Sequence, residues 1–270
     1  MRRPILILVA ASILGGATTL ADGVAKDSRA AYEYTADEVS AAARTDLDLA
    51  LAPFRLAGKL NRDTPEFERV RDLFARVVDV AKHRSDFARK LDWAVYVHEG
   101  RLVEAYSRAG GGIVISAKFL ERYRPNDAEL AFVIGHEIAH ALCEHERINL
   151  SAVWRRNAPQ QLAARYAMEF IDTEPMVRAQ LAPVARLQER VADRLGLELA
   201  AAAGIDPMSA LGFFDKSADE AQGGGIFPDM HDTPVQRKTL LLQTATPHRT
   251  MRALFRGRGI DCALDPASVS

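Results

Sequence analysis

Residues Ala128–Arg147 read AELAFVIGHEIAHALCEHER. Pro125-Asn126-Asp127 stand before the apolar run, with Asn126 placed to cap a helix and Glu129, three residues on, placed to close a capping box. Inside the run, His136-Glu137-Ile138-Ala139-His140 forms an H-E-x-x-H pattern. Residues four apart share one helix face, so both imidazoles point the same way, as two nitrogen ligands on one Zn²⁺ must. Glu137 falls about 100° round the helix, beside such an ion rather than on it. A helix with two solvated histidines is the competing explanation, and the rest of the chain has to separate the two.

Working outward, composition narrows the class. The chain has 270 residues, 48% of them hydrophobic, enough for a substantial core in one domain with appendages. Its net charge of −1 gives no global field for nucleic acid or anionic lipid. Arg2 and Arg3, the apolar run Ile5–Leu14 and then Thr19-Leu20-Ala21 have the layout of a secretory signal over residues 1–21. Its removal would leave a mature charge near −3, and the absence of a cysteine after the run argues against a lipid anchor. The expectation is export, to the periplasm in a two-membrane cell; the alternative is an uncleaved N-terminal helix that anchors the chain. Cys143 and Cys262 are the only cysteines. An oxidising compartment permits a disulfide between them, against the alternative of two unpaired thiols.

In chain order, residues 22–62 are Ala-rich and mixed in charge and look like a mobile leader, helix-compatible around Ala36–Leu51. Thr64-Pro65-Glu66 opens an amphipathic helix that buries Phe67, Val70, Phe74, Val77, Val78 and Ala81. Trp93–Val97 and Ile113–Ser116 read as strands, the second entered through Gly110-Gly111-Gly112. After Asn149 the chain is helical again, broken at Pro175 and Pro183, with Pro183 starting the helix Val184–Ala203. The fold class is therefore α+β, mostly helical with a small, largely antiparallel sheet. Residues 63–242 form the main domain with a helical insert at about 150–182, and 243–270 form a basic tail.

A catalytic zinc takes three protein ligands and keeps one position open. His83, His98 and His248 lie in unrelated elements. His145, about 140° from His140 on a continuous helix, falls outside reach of the same ion. Glu189 and Asp193 are four apart on the helix after Pro183, with Ala192 and Gly196 small enough to admit Gly135 and Ala139 of the first helix. Glu189 can complete a His–His–Glu set, and Asp193 can accept the free N–H of His136. The alternative is that Glu189, Arg190, Asp193 and Arg194 form an ordinary charged helix face.

Phe132–His140 with His145 following resembles the H-E-I-x-H…H signature of the HtpX/CAAX-type gluzincin metallopeptidases, and Glu189-Arg190-Val191-Ala192-Asp193 resembles that family's E-x-x-A-D. His231 and Arg237 keep the spacing of the family's downstream histidine and arginine, though the proline between them has moved. The similarity runs from about Glu66 to Leu241, and the layout is nearest to the family's secreted periplasmic BepA-, LoiP- and Oma-like members. It implies a zincin-type domain with one Zn²⁺ per chain on His136, His140 and Glu189. It further implies Glu137 as general base and His231 as a donor to the oxyanion, with Arg237 bracing Asp193 or Glu189. By the same resemblance, Gly112, Ile113, Val114 and Ile115 should form a sheet edge for an extended peptide, and the substrates should be unfolded or misassembled envelope polypeptides. Peripheral association with the membrane or with envelope complexes is compatible with this, and nucleic acid is not a partner. The competing class is an envelope chaperone or adaptor that binds without cutting; a latent protease plugged by its tail or insert is a third reading.

Overall fold

The computed structural model describes residues 32–157, 163–218, 232–244 and 259–264; the signal-like residues 1–21 lie outside these. Thr35 and Glu38 close a capping box that starts α1 (Ala36–Leu56), whose buried stripe is Val39, Ala43, Leu47 and Leu51. Thr64 caps α2 (Pro65–Arg84), with the proline in the first turn where no intrahelical N–H is needed. A five-residue α3 (Asp86–Lys90) leads to three strands, β1 (Ala94–His98), β2 (Ala105–Arg108) and β3 (Gly112–Ser116). Ser116 caps α4 (Ala117–Tyr123), and Asn126 with Glu129 forms the capping box of α5 (Asp127–Leu142). Then follow α6 (His145–Asn157), α7 (Ala164–Thr173), α8 (Pro175–Ala202), α9 (Pro207–Ala210), α10 (Gly212–Ser217) and α11 (Pro234–Thr244). None of the described helices is long and apolar enough to cross a membrane.

The sheet differs from the sequence expectation in two ways. It is mixed rather than largely antiparallel: β3 pairs parallel with β1 and antiparallel with β2. The order β1-β3-β2 also makes Gly112, Ile113, Val114 and Ile115 the central strand, not the edge, with every residue buried. An unbroken β-branched run buried on both faces suits a central position, whereas an edge usually alternates. Ile113 and Ile115 face the main core with α2 and α5, while Val114 faces Leu47 and Leu51 of α1. Residues 36–56 are thus one layer of the fold and not a mobile leader. Beyond β1 the chain covers its own edge, through Asn61 N–H to the Val97 carbonyl (2.8 Å) and Glu99 N–H to the Lys59 carbonyl (3.0 Å). Among the described residues, that leaves β2 as the open edge.

Helix α5 runs through the middle of the molecule, nearly all of it buried. It meets α8 at Gly135 and Gly196, where the backbones touch. A Cβ on Gly135 would lie 2.6 Å from the Gly196 carbonyl oxygen, and one on Gly196 would lie 2.6 Å from the His136 nitrogen. Pro183 sits inside α8, which begins two turns earlier at Pro175. A proline there removes one hydrogen bond to the preceding turn. Burial of Val177, Leu181 and Ala182 before it and of Val184 and Ala185 after it holds the helix together. The insert consists of α6, α7 and the first turns of α8. It packs against Tyr34, Val39 and Ala43 through Leu150, Ala167 and Met168.

Candidate metal centre

One turn separates His136 from His140 on α5, and their Nε2 atoms lie 3.1 Å apart. Glu189 on α8 faces both, with Oε2 3.3 Å from His136 Nε2 and Oε1 3.2 Å from His140 Nε2. All three donors fall within 4.8 Å of one another. Ligand atoms about 2.0–2.1 Å from one tetrahedral ion stand about 3.3–3.4 Å apart, so these residues fit a divalent metal without rearrangement. Two imidazoles and one carboxylate leave the fourth position of such an ion open.

The outer nitrogens are also engaged. His136 Nδ1 lies 3.0 Å from Asp193 Oδ1, so with Nε2 turned to the metal its Nδ1–H donates to the carboxylate. Arg237 grips Asp193 with two bonds, Nε to Oδ2 at 2.8 Å and Nη2 to Oδ1 at 2.6 Å, and stacks its guanidinium over Phe214. Its distance to Glu189 is longer, 3.9 Å. Burial alone would raise the Asp193 carboxyl, but Arg237 more than offsets this and holds it below the usual range. Burial likewise disfavours a charged His136, yet the Glu189 and Asp193 carboxylates outweigh it and push the metal-free imidazole up to about 10. Glu189 is held well below its ordinary value by the two histidines, against its own burial.

His145 corrects the sequence reading. A continuous helix would carry it away from His140, but α5 stops at Cys143 and Glu144 adopts a left-handed φ of 53°. The chain turns back, and His145 Nδ1 meets His140 Nδ1 at 2.9 Å. It stands outside the His136, His140 and Glu189 group, and with His140 Nε2 turned toward that group its Nδ1 is placed to take the His140 Nδ1–H. Burial drives its pKa well below the usual value, so it stays neutral and able to accept. The third histidine of the H-E-I-x-H…H pattern was the signal for this contact.

Glu137 is buried and lines the same cleft as His136 and Glu189. Val103, Glu104 and Ala105 at the head of β2 form one wall of this cleft, and Phe213 and Arg237 contribute to another. Glu104 is itself held by the buried His98, whose Nε2 lies 2.9 Å from Oε1. His98, set aside as a metal ligand, thus supports the edge strand instead. Gly112–Ile115 lie one strand further in. His231 lies outside the described residues, but its neighbour Asp232 is bound by Arg190 at 2.7 Å, one residue from Glu189. The charges of α8 are therefore not a solvated face: Arg190 takes Asp232, Asp193 takes His136 and Arg237, and Arg194 donates to the Asp261 carbonyl at 2.7 Å. That last bond lies beside the Cys143–Cys262 disulfide, whose α-carbons are 5.3 Å apart. The bridge draws Ile260 and Leu264 onto Ala139, Val191 and Leu195, behind the metal residues.

Comparison with known proteins agrees with this geometry. The model of peptidase family M48 matches residues 66–250. The mitochondrial metalloendopeptidase OMA1 of Arabidopsis thaliana is 31% identical over 157 residues, 57% of this chain and 32% of the relative. The beta-barrel assembly-enhancing protease of Escherichia coli O157:H7 is 25% identical over 150 residues, 50% of this chain and 31% of the relative. A putative protease of the same description from Vibrio cholerae is 28% identical over 166 residues, 56% and 34% of the two chains. The chain thus spans about a third of the length of these relatives. With its two-helix metal site and a family match covering most of its length, the chain belongs to peptidase family M48.

Proposed function

We propose that this metallopeptidase is a zinc-dependent endopeptidase acting on unfolded or misassembled polypeptides of the cell envelope. The observation that carries the chemistry is the convergence of His136, His140 and Glu189 on one point, with His136 and Glu189 lining a cleft beside Glu137. Zinc held by the three ligands would act as a Lewis acid and lower the pKa of a water molecule. Glu137 accepts that proton as the water attacks the peptide carbonyl and returns it to the departing amine. Asp193 and Arg237 keep the His136 ring turned with Nε2 inward, and His145 does the same for His140. His231 is assigned to the developing oxyanion by the family resemblance alone.

An extended substrate adds to β2. Pairing of Glu104 with Ser116 fixes the alternation. The N–H and C=O groups of Ala105 and Ser107 therefore face outward, over the metal residues. Recognition through main-chain bonds selects for an accessible extended segment more than for particular side chains. Export rests on the signal-like residues 1–21 and on the name of the bacterial relatives, which assigns those proteins to β-barrel assembly. The test is a casein digest by the mature protein, with and without a chelator, beside Glu137→Gln. Cleavage that survives in Glu137→Gln would remove Glu137 as the base.

A further inference from the structure

The cleft continues past Glu189 on the side away from Glu104. There a cavity of about 220 Å³ reaches from His140 and Glu189, along Ser107 and Arg108, to the first turns of α1 and to α7. Here the strand edge is closed. The backbone N–H of Ala109, the next outward-facing donor after Ser107, is already bonded to Glu146 Oε2 at 2.7 Å. Ala109 packs against the cluster that Val39, Ala43, Leu150 and Met168 build from α1, α6 and α7. Gly110 sits so close to α1 that a Cβ there would lie 3.3 Å from Ser40. Helix α1 stands before the family match, which starts at residue 66, so this wall is an addition to the family's matched region.

A peptide pairing antiparallel with β2, the more stable arrangement, runs with its N-terminal end toward Arg108 and its C-terminal end toward Glu104. Ala105 lines the cleft with His136 and Glu137, and Ser107 lines the cavity with His140 and Glu189, so the scissile bond is set opposite the stretch from Ala105 to Ser107. A partner for Ala109 would be about two residues further back, where Glu146 stands instead. Arg108 at this end meets three carboxylates, Asp46 at 3.0 Å, Glu146 at 3.1 Å and Asp172 at 3.4 Å, leaving an excess of negative charge. Resting on the peptidase reading above, we propose that α1, α6 and α7 close the pairing edge on the N-terminal side of the cleft, so that a longer substrate has to turn away from β2 there. The edge pairs about three substrate residues before the scissile bond, so among the bonds this endopeptidase cuts it favours those close to a free chain N-terminus, and it sets the terminal ammonium against the carboxylates around Arg108.

The test uses the full mature chain and peptides that share one cleaved sequence but carry from about two to about ten residues before the scissile bond. Binding to the Glu137→Gln variant is measured in parallel by fluorescence anisotropy. The expected result is a fall of about tenfold in kcat/KM, and in affinity, once the N-terminal part exceeds about three residues. Acetylating the short peptide should cost several-fold. Glu146→Ala should flatten the length dependence. Glu146→Gln, which still accepts from Ala109, should keep the length limit and weaken the preference for a free amine, since Asp46 and Asp172 remain. If Glu146→Ala does not fold, the wild-type series and Glu146→Gln still decide. Equal kcat/KM at all lengths overturns the closed edge and leaves the peptidase reading intact, and an unaffected acetylated peptide overturns the charge match. Peptides that are neither cut nor bound overturn both.

Discussion

The α5–α8 helix pair and the β2 edge sit on the same cleft, but they are built in different ways. In the helix pair every functional side chain is positioned by local spacing: four residues from His136 to His140, four from Glu189 to Asp193, and a glycine on each helix where the two backbones meet. In the edge, nothing local says which strand is outermost. That follows from β3 pairing with β1 on one side and β2 on the other, and from residues 59–61 covering the far edge of β1. A rigid metal platform and an edge defined by what fails to cover it should respond to mutation in different ways.

The sharpest break comes at the helix contact. Gly196→Val would put side-chain atoms into the His136 backbone, where even a Cβ sits at 2.6 Å. A loss of about 3 kcal/mol in unfolding free energy is expected, read from a denaturant titration, together with loss of bound metal. Proline substitutions then separate centre from edge. Val114→Pro removes a ladder bond inside β3 and should cost about 3 kcal/mol or more. Ser107→Pro removes only an outward N–H of β2, so its melting curve should stay close to wild type while kcat/KM for an extended peptide falls about tenfold. Asp193→Asn keeps the shape but weakens the grip on His136 and Arg237. A competition assay with a chromophoric chelator should show metal affinity lower by about 10–100-fold. The smallest effect is on protons. The metal-free His136 is protonated up to about pH 10, because Glu189 and Asp193 outweigh its burial, and a ligand imidazole must be neutral. Metal uptake near neutral pH should therefore release a proton, and affinity should rise with pH until about 10, which calorimetry in buffers of different ionisation enthalpy would read.

What was legible in the sequence follows the same division. The caps at Asn126 and Thr64 and the buried face of α2 are local features, and the structure has them where the spacing puts them. So is the face shared by Glu189 and Asp193, which the structure turns toward the two histidines. A helical projection through Cys143 carries His145 away from His140, because no local pattern marks the left-handed Glu144 that ends the helix. Pro183 reads as a helix start because a proline costs a hydrogen bond locally, whereas the burial that compensates comes from other elements. The family resemblance makes Gly112–Ile115 an edge, whereas the unbroken Ile-Val-Ile run itself has the pattern of a central strand. The part played by α1 depends on contacts with residues more than a hundred positions away, such as Leu150 and Met168, which no pattern within Ala36–Leu56 reveals.

The proposed chemistry needs one metal shared by two helices, with Glu189 as the ligand that joins them. Metal content per folded chain, measured for the wild type, Glu137→Gln and Glu189→Ala after identical zinc loading and dialysis, checks this. About one zinc is expected for the first two and a clear loss for Glu189→Ala. Full occupancy in Glu189→Ala would contradict it and place the third ligand elsewhere.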